Sequence, residues 1–202
     1  MAKRSPLPRR PRGRPPLVAD RRQELVEAAF NKIAEKGFEG LRMRDVASAA
    51  GVDHSTIHHY FASKQELLAA VLDFATRPFW GTTPPEGEPR DRLRRHLTAQ
   101  VRMIAERPTL LAVLREFDLR ATRDPDVAKI IEAREAGWRA ALKNVFASGA
   151  AGRDWMTGVA PDDAVELIVA AVKGASLRPR SASKALAQLA RLLIASKKAG
   201  GT

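Results

Sequence analysis

From Asp20 onward, apolar residues recur at three- and four-residue steps. Leu25, Val26, Ala29, Phe30 and Ile33 form one stripe, and Gly37 stands where a helix would stop. The spacing predicts a helix with Asp20 as its cap. A second, shorter stripe covers residues 43–50, with Val46, Ala47 and Ala50 inward and Gly51 closing it. A third helix is predicted after "GVD", with Asp53 placed as its cap and Ile57 and Phe61 as a buried i, i+4 pair. Ser63 is placed to cap a longer helix over 64–77, with Gln65 or Glu66 two or three residues on, as a capping box wants.

The segment "PFWGTTPPEGEP" (78–89) is dense in proline and glycine and marks a boundary. Beyond it the periodicity predicts five more helices, at about 90–106, 108–122, 125–147, 162–177 and 182–197, separated by Pro108, Pro125, "SGAAG" (148–152), Pro161 and Pro179. No stretch alternates as a strand would, and there is no internal repeat. The expected fold is all-α with about nine helices. It divides into a basic arm (1–19), a helical module (20–77) and a larger helical domain (78–202).

Charge sharpens that division. Residues 1–22 carry eight basic side chains against Asp20 alone, residues 23–77 carry six against eight acidic, and residues 78–202 carry 21 against 14. A proline- and arginine-rich arm without periodicity is expected to be disordered alone. Beside a near-neutral module, it suggests a polyanionic partner, nucleic acid before membrane. The chain has no cysteine, hence no disulfide, thiol nucleophile or cysteine zinc site, which suits a reducing, cytoplasmic setting. Its longest apolar runs are about six residues, as in "LIVAAV" (167–172), far short of the roughly 18–20 that span a bilayer. No apolar stretch follows the basic N-terminus, so it does not read as a secretory signal.

Two short helices joined by "AAGVD" are the pattern of a helix-turn-helix. Small Ala47 and Ala50 permit a steep crossing, and Gly51 permits the tight turn. With Ile57 and Phe61 inward, the second helix turns out His54, Ser55, Thr56, His58 and His59. All are compact and polar, as a helix lying in a DNA major groove requires. His54 and His58 share a helix face and could begin a metal site, but His59 lies about 100° round the helix. No cysteine or well-spaced carboxylate completes a ligand set, so no metal or other cofactor is expected. A Ser/His/Asp set, a phosphate loop and paired carboxylates are also missing, so the chain does not read as an enzyme.

The run "LRMRDVASAAGVDHSTIHHYFASKQELLAAVL" (41–72) resembles the N-terminal module of the TetR family of transcriptional repressors. The resemblance lies in the amphipathic first helix ending in glycine, the "AAGV" turn, the aromatic pair closing the recognition helix, and the lysine-led start of the fourth helix. It spans about residues 20–77 and implies DNA-contacting roles position by position. Arg44 falls where the family reads a base or phosphate, and an arginine there can grip guanine in bidentate fashion. His54 and Ser55 match base-reading positions, and Thr56 a phosphate-binding hydroxyl. His58, His59 and Tyr60 match a segment gripping backbone and neighbouring bases, and Lys64 a phosphate-meeting lysine. Two positions depart: His58 replaces a common tyrosine, and Arg42 replaces a Ser or Thr cap, where it could instead add a phosphate contact.

Within the arm, "PRGRPP" (11–16) resembles an AT-hook core. Arg10, Arg12, Gly13, Arg14 and Pro15 would then lie in a narrow A·T minor groove, with general phosphate attraction as the simpler alternative. For residues beyond 78, the family plan implies a ligand-responsive domain whose last two helices form a dimeric four-helix bundle. That plan makes Leu167, Val172, Leu186, Leu189 and Leu193 candidate dimer residues, with an ordinary monomer core as the alternative. Larger side chains that could line a pocket include His96, Gln100, Met103, Phe117 and Trp138, together with Phe74, Phe79, Trp80, Phe146 and Trp155. The expected protein is a homodimeric repressor that binds double-stranded DNA at a near-palindromic operator. A small apolar effector of unknown identity would release it, and no membrane is involved. The rival is an architectural A·T-rich DNA-binding protein without an effector. Deleting residues 1–16 should weaken operator binding and flatten the slope of log K against log salt, and an unchanged slope would rule out a role for the arm.

Overall fold

The computed structural model of the protein describes residues 18–79, 81–147 and 159–194. The described residues are all-helical, with nine α-helices, two short 3-10 turns and no strand. Helices α1 (Val18–Lys36), α2 (Met43–Ala49), α3 (His54–Tyr60) and α4 (Lys64–Thr76) make the N-terminal module. The larger body comprises α5 (Pro89–Glu106), α6 (Pro108–Ala121), α7 (Pro125–Ala147), α8 (Pro161–Leu177) and α9 (Pro179–Ile194).

Helix starts follow local chemistry. All five helices of the body open on proline, which lacks the amide that a first turn leaves unpaired and has the right φ. The prolines therefore begin helices rather than merely separate them, and α9 starts at Pro179 instead of residue 182. Similarly, α1 begins at Val18, so Asp20 lies inside its first turn and is not its cap. Asp53 occupies the N-cap position of α3 but makes no side-chain cap bond. Ser63 does cap α4: its Oγ accepts from the Glu66 amide at 3.1 Å, and Glu66 Oε2 accepts from the Ala62 amide at 2.9 Å.

Two glycines are required by geometry. Gly51, at φ 68°, makes the turn between α2 and α3. Gly37, at φ 64°, ends α1, and a Cβ there would lie 2.8 Å from the Glu116 carboxylate of α6. That approach lets Glu116 Oε2 accept a hydrogen bond from the Phe38 amide, long at 3.4 Å.

The core does not stop at the module boundary. The cluster of buried residues from α1 to α4 continues through Val113 and Phe117 of α6 and Val127 and Ile131 of α7. A second cluster joins α5 to α9, and Phe30 and Leu114 pack against both. In this second cluster α9 lies on α5 and α8. Four of the five candidate dimer residues, Val172, Leu186, Leu189 and Leu193, are therefore buried inside the single chain. Within the single chain the three leucines of α9 pack in the core formed with α5 and α8, and Val172 of α8 belongs to the same cluster. The fifth candidate, Leu167, is 45% exposed, and Leu177 at 63% and Leu192 at 57% face outward as well.

The two caps give contrasting expectations. Ser63→Ala should cost about 1 kcal/mol of unfolding free energy by chemical denaturation. Asp53→Ala should change it by a few tenths at most, since its side chain makes no cap bond.

Candidate nucleic-acid interface and the cavity behind it

Helix α3 is held from beneath by Ile57 and Phe61, both fully buried. The guanidinium of Arg22 lies over the Phe61 ring at 4.6 Å and so covers the end of the helix. His54, Ser55, His58 and His59 are consequently exposed, while Thr56 and Tyr60 are half-buried. The His54 and His58 rings meet edge to face, with centroids 5.1 Å apart, so two of the three histidines act as one polar surface. Arg42 and Arg44 are exposed at the start of α2, and Arg44 pairs with Asp45 at 3.4 Å. A shallow concavity joins Arg44, Ser48, His54 and Thr56 to Arg21 of α1. Arg21 and Ser48 were not anticipated from the sequence: Arg21 lies on α1, outside the two-helix motif, and the contact roles read on α2 stopped at Arg44.

Lys64 has a partner within the protein. Its Nζ donates to the Leu41 carbonyl at 2.9 Å, tying the start of α4 to the segment that leads into α2. Partial burial, followed by the charge of Arg120, pushes its pKa below the usual lysine range. The arm residues Arg10, Arg12, Gly13, Arg14 and Pro15 lie outside the described residues, as do Trp80 and Trp155. Among the described residues no group of three or more His, Cys, Asp or Glu side chains could hold a metal ion, and no helix is long and apolar enough to cross a membrane.

Helix α4 of the N-terminal module and α5, α6, α7 and α8 of the body line a cavity of about 440 Å³. Its walls are mostly apolar and include Leu72, Phe79, Ile104, Leu111, Leu114 and Ile131. Of the pocket candidates, Gln100, Phe117, Trp138 and Phe79 line it. Val172, expected at a dimer interface, lines it as well. Met103 does not: it is half-buried against the core of the body. Phe74 packs edge to face on Phe30 at 5.3 Å, and Phe146 belongs to the second core.

His96 stands behind the wall, fully buried. Trp138 Nε1 donates to its Nε2 at 3.2 Å, and Thr83 Oγ1 lies 2.9 Å from its Nδ1. The indole can only donate, so Nε2 accepts and the imidazole proton resides on Nδ1. Burial pushes the pKa of His96 from the usual 6.5 down to about 4.

The wall also carries charge that the sequence reading missed. Lys173 of α8 pairs with Asp118 of α6 at 2.8 Å and with Glu135 of α7. Glu135 is also bonded by Arg139 at 2.7 Å. Burial raises the pKa of Asp118 despite Lys173. Burial acts the same way on Glu135, but its bonds to Lys173 and Arg139 outweigh it and hold the carboxyl below the ordinary range. Arg134 of α7 lines the cavity too, pairs with Asp73 of α4 at 2.9 Å and donates to Thr76 Oγ1 at 2.6 Å. The available signal was register: Asp118 follows Leu114 by four residues and Glu135 follows Ile131 by four, so both sit on otherwise apolar stripes.

A helix-turn-helix with an exposed polar second helix, packed on a helical body beside a cavity, defines the class of fold. Residues 25–71 match the family model described as "Bacterial regulatory proteins, tetR family". Residues 89–195 match "BetI-type transcriptional repressor, C-terminal". The chain belongs to the TetR family. It is 35% identical over 81 residues to the HTH-type transcriptional repressor KstR2 of Mycobacterium tuberculosis, covering 38% of this chain and 40% of that protein. It is 33% identical over 79 residues to the HTH-type transcriptional regulator BetI of Burkholderia cenocepacia, covering 37% of this chain and 41% of BetI. The chain thus spans about two-fifths of the length of these two curated relatives. A TetR transcription regulator from Haloarcula marismortui has the same fold, with TM-score 0.74 and 22% identity over 87% of this chain and 99% of that one.

The histidine gives a signed pH expectation. His96 stays neutral in the fold, whereas in the unfolded chain it takes a proton below about 6.5. Its contribution is therefore complete above pH 6.5 and is lost as pH falls toward 4, by about 3 kcal/mol. Urea denaturation should show wild type losing about that much more stability across this window than His96→Gln, and parallel losses would refute the assignment.

Proposed function

We propose that the protein is a homodimeric transcriptional repressor whose grip on operator DNA is released when a small molecule enters the cavity. Arg42, Arg44, His54, Ser55, Thr56, His58, His59 and Tyr60 would meet bases and phosphates, and Lys64 would position the start of α4 while offering its remaining donors to a phosphate. The observation that carries this reading is the double duty of α6. Its Leu111, Leu114, Phe117 and Asp118 line the cavity. From the same helix Phe117 packs edge to face on Phe38, with centroids 5.0 Å apart, and Glu116 meets the Phe38 amide. A ligand that displaces α6 would therefore displace α1 and the helix-turn-helix with it. Arg134 offers a second route, from the cavity to α4 through Asp73 and Thr76. The matched family models and the names of the relatives supply the repressor direction.

A second copy would dock on the outward face of α8 and α9. Leu167, Ala170, Gly174 and Leu177 recur there at helical steps on α8 and are exposed. A Cβ added at Gly174 meets nothing within 4 Å in the single chain, so a glycine there would let two helices approach closely. Dimerisation pairs two recognition helices and predicts that selection from random DNA yields an inverted repeat. Gly174→Glu should leave the monomer folded but shift sedimentation toward monomer and abolish binding to that repeat. A dimer of wild-type strength in this variant would overturn the assigned interface.

A further inference from the structure

Gln100, one of the residues lining the cavity, carries a polar atom with no hydrogen-bond partner. Gln100 is fully buried, and its Oε1 is the one buried side-chain oxygen or nitrogen among the described residues that has no hydrogen bond. The orientation of the amide is fixed by its neighbours. Thr82 Oγ1 lies 2.7 Å from the Phe79 carbonyl, which can only accept, so the threonine proton is directed there. Thr82 Oγ1 must then accept from its other neighbours, and the Gln100 group 3.3 Å away is the amide nitrogen. A flipped glutamine would set oxygen against oxygen. The His96 proton on Nδ1, forced by Trp138, reinforces this order by turning another donor toward the threonines. Gln100 Oε1 is thus a fixed acceptor in an apolar wall, and a buried acceptor left unmatched carries a desolvation penalty.

The charged side chains add a second condition. Among the cavity-lining cations, Lys173 is shared by Asp118 and Glu135, and Arg134 is held by Asp73 and Thr76. An incoming carboxylate would have to compete with these carboxylates and would repel the Gln100 oxygen.

We propose that the effector is a compact, largely apolar molecule that brings a hydrogen-bond donor, an alcohol O–H or an amine N–H, to Gln100 Oε1, and carries no carboxylate. This rests on the reading of the cavity as the effector site. It sets the polarity of the ligand, which cavity shape and size alone do not.

The test is calorimetric titration of the protein with four probes of matched body: cyclododecanol, cyclododecylamine, cyclododecyl methyl ether and cyclododecanecarboxylic acid. Alcohol and amine should bind roughly tenfold or more tighter than the ether, the acid should bind weakest, and Gln100→Leu should bring the alcohol-to-ether ratio close to one. Equal affinities for alcohol and ether in the wild-type protein, or the acid as tightest binder, would overturn the donor requirement and leave the cavity reading intact. Binding that survives Ala141→Trp, which fills the cavity, or no binding by any probe, would overturn the cavity reading and the donor requirement together. The wild-type series decides the question even if the glutamine variant does not fold.

Discussion

The rest of the structure depends on the burial of Phe117. Its ring is fully buried between Phe38, in the turn after α1, and the cavity of the helical body. One side chain thus belongs to the core of the N-terminal module and to the wall of the cavity. Aromatic contacts of this geometry contribute about 1 kcal/mol beyond burial itself. Close-packed cores transmit displacement because they hold few voids to absorb it. The polar links nearby are weaker. Arg120 and Glu39 pair at 3.5 Å, but Glu39 is almost fully exposed, so that pair contributes little. The connection between the two halves is therefore apolar first, with Glu116 and Arg134 adding direction.

Around the same cavity, polar chemistry is placed sparingly and matched almost completely. The ordered chain from Trp138 through His96 to the threonines requires a neutral imidazole, and burial supplies one. Lys173 holds two carboxylates from different helices, so α6, α7 and α8 are joined by one ammonium. Against this matched background Gln100 Oε1 stands out, because buried acceptors are ordinarily satisfied.

Much of the fold was legible in the sequence. The helix-turn-helix could be read residue by residue because Val46, Ala47, Ile57 and Phe61 keep strict periodicity and Gly51 marks the turn. The exposed histidines followed from that register. The body was legible as helices but not as an assembly. Periodicity tells that Leu186, Leu189 and Leu193 share a stripe, but not whether the stripe meets α5 of its own chain or a second copy. The structure gives them to α5 and α8, and leaves Leu167 and Leu177 outward. Proline was read as punctuation between helices, yet at Pro89, Pro108, Pro125, Pro161 and Pro179 it is the first helical residue. The charged cavity wall was missed because Asp118, Glu135 and Lys173 lie on three helices far apart in sequence, and only folding brings them together.

The central claim is that occupancy of the cavity and occupancy of the DNA face are coupled through α6. Linkage makes such coupling reciprocal, so it can be read from the ligand side. The direct measurement is the affinity of the protein for cyclododecanol, with and without a saturating excess of its selected operator. The account predicts weaker ligand binding to the operator complex, by roughly 5–150-fold. The same affinity in both states would contradict it.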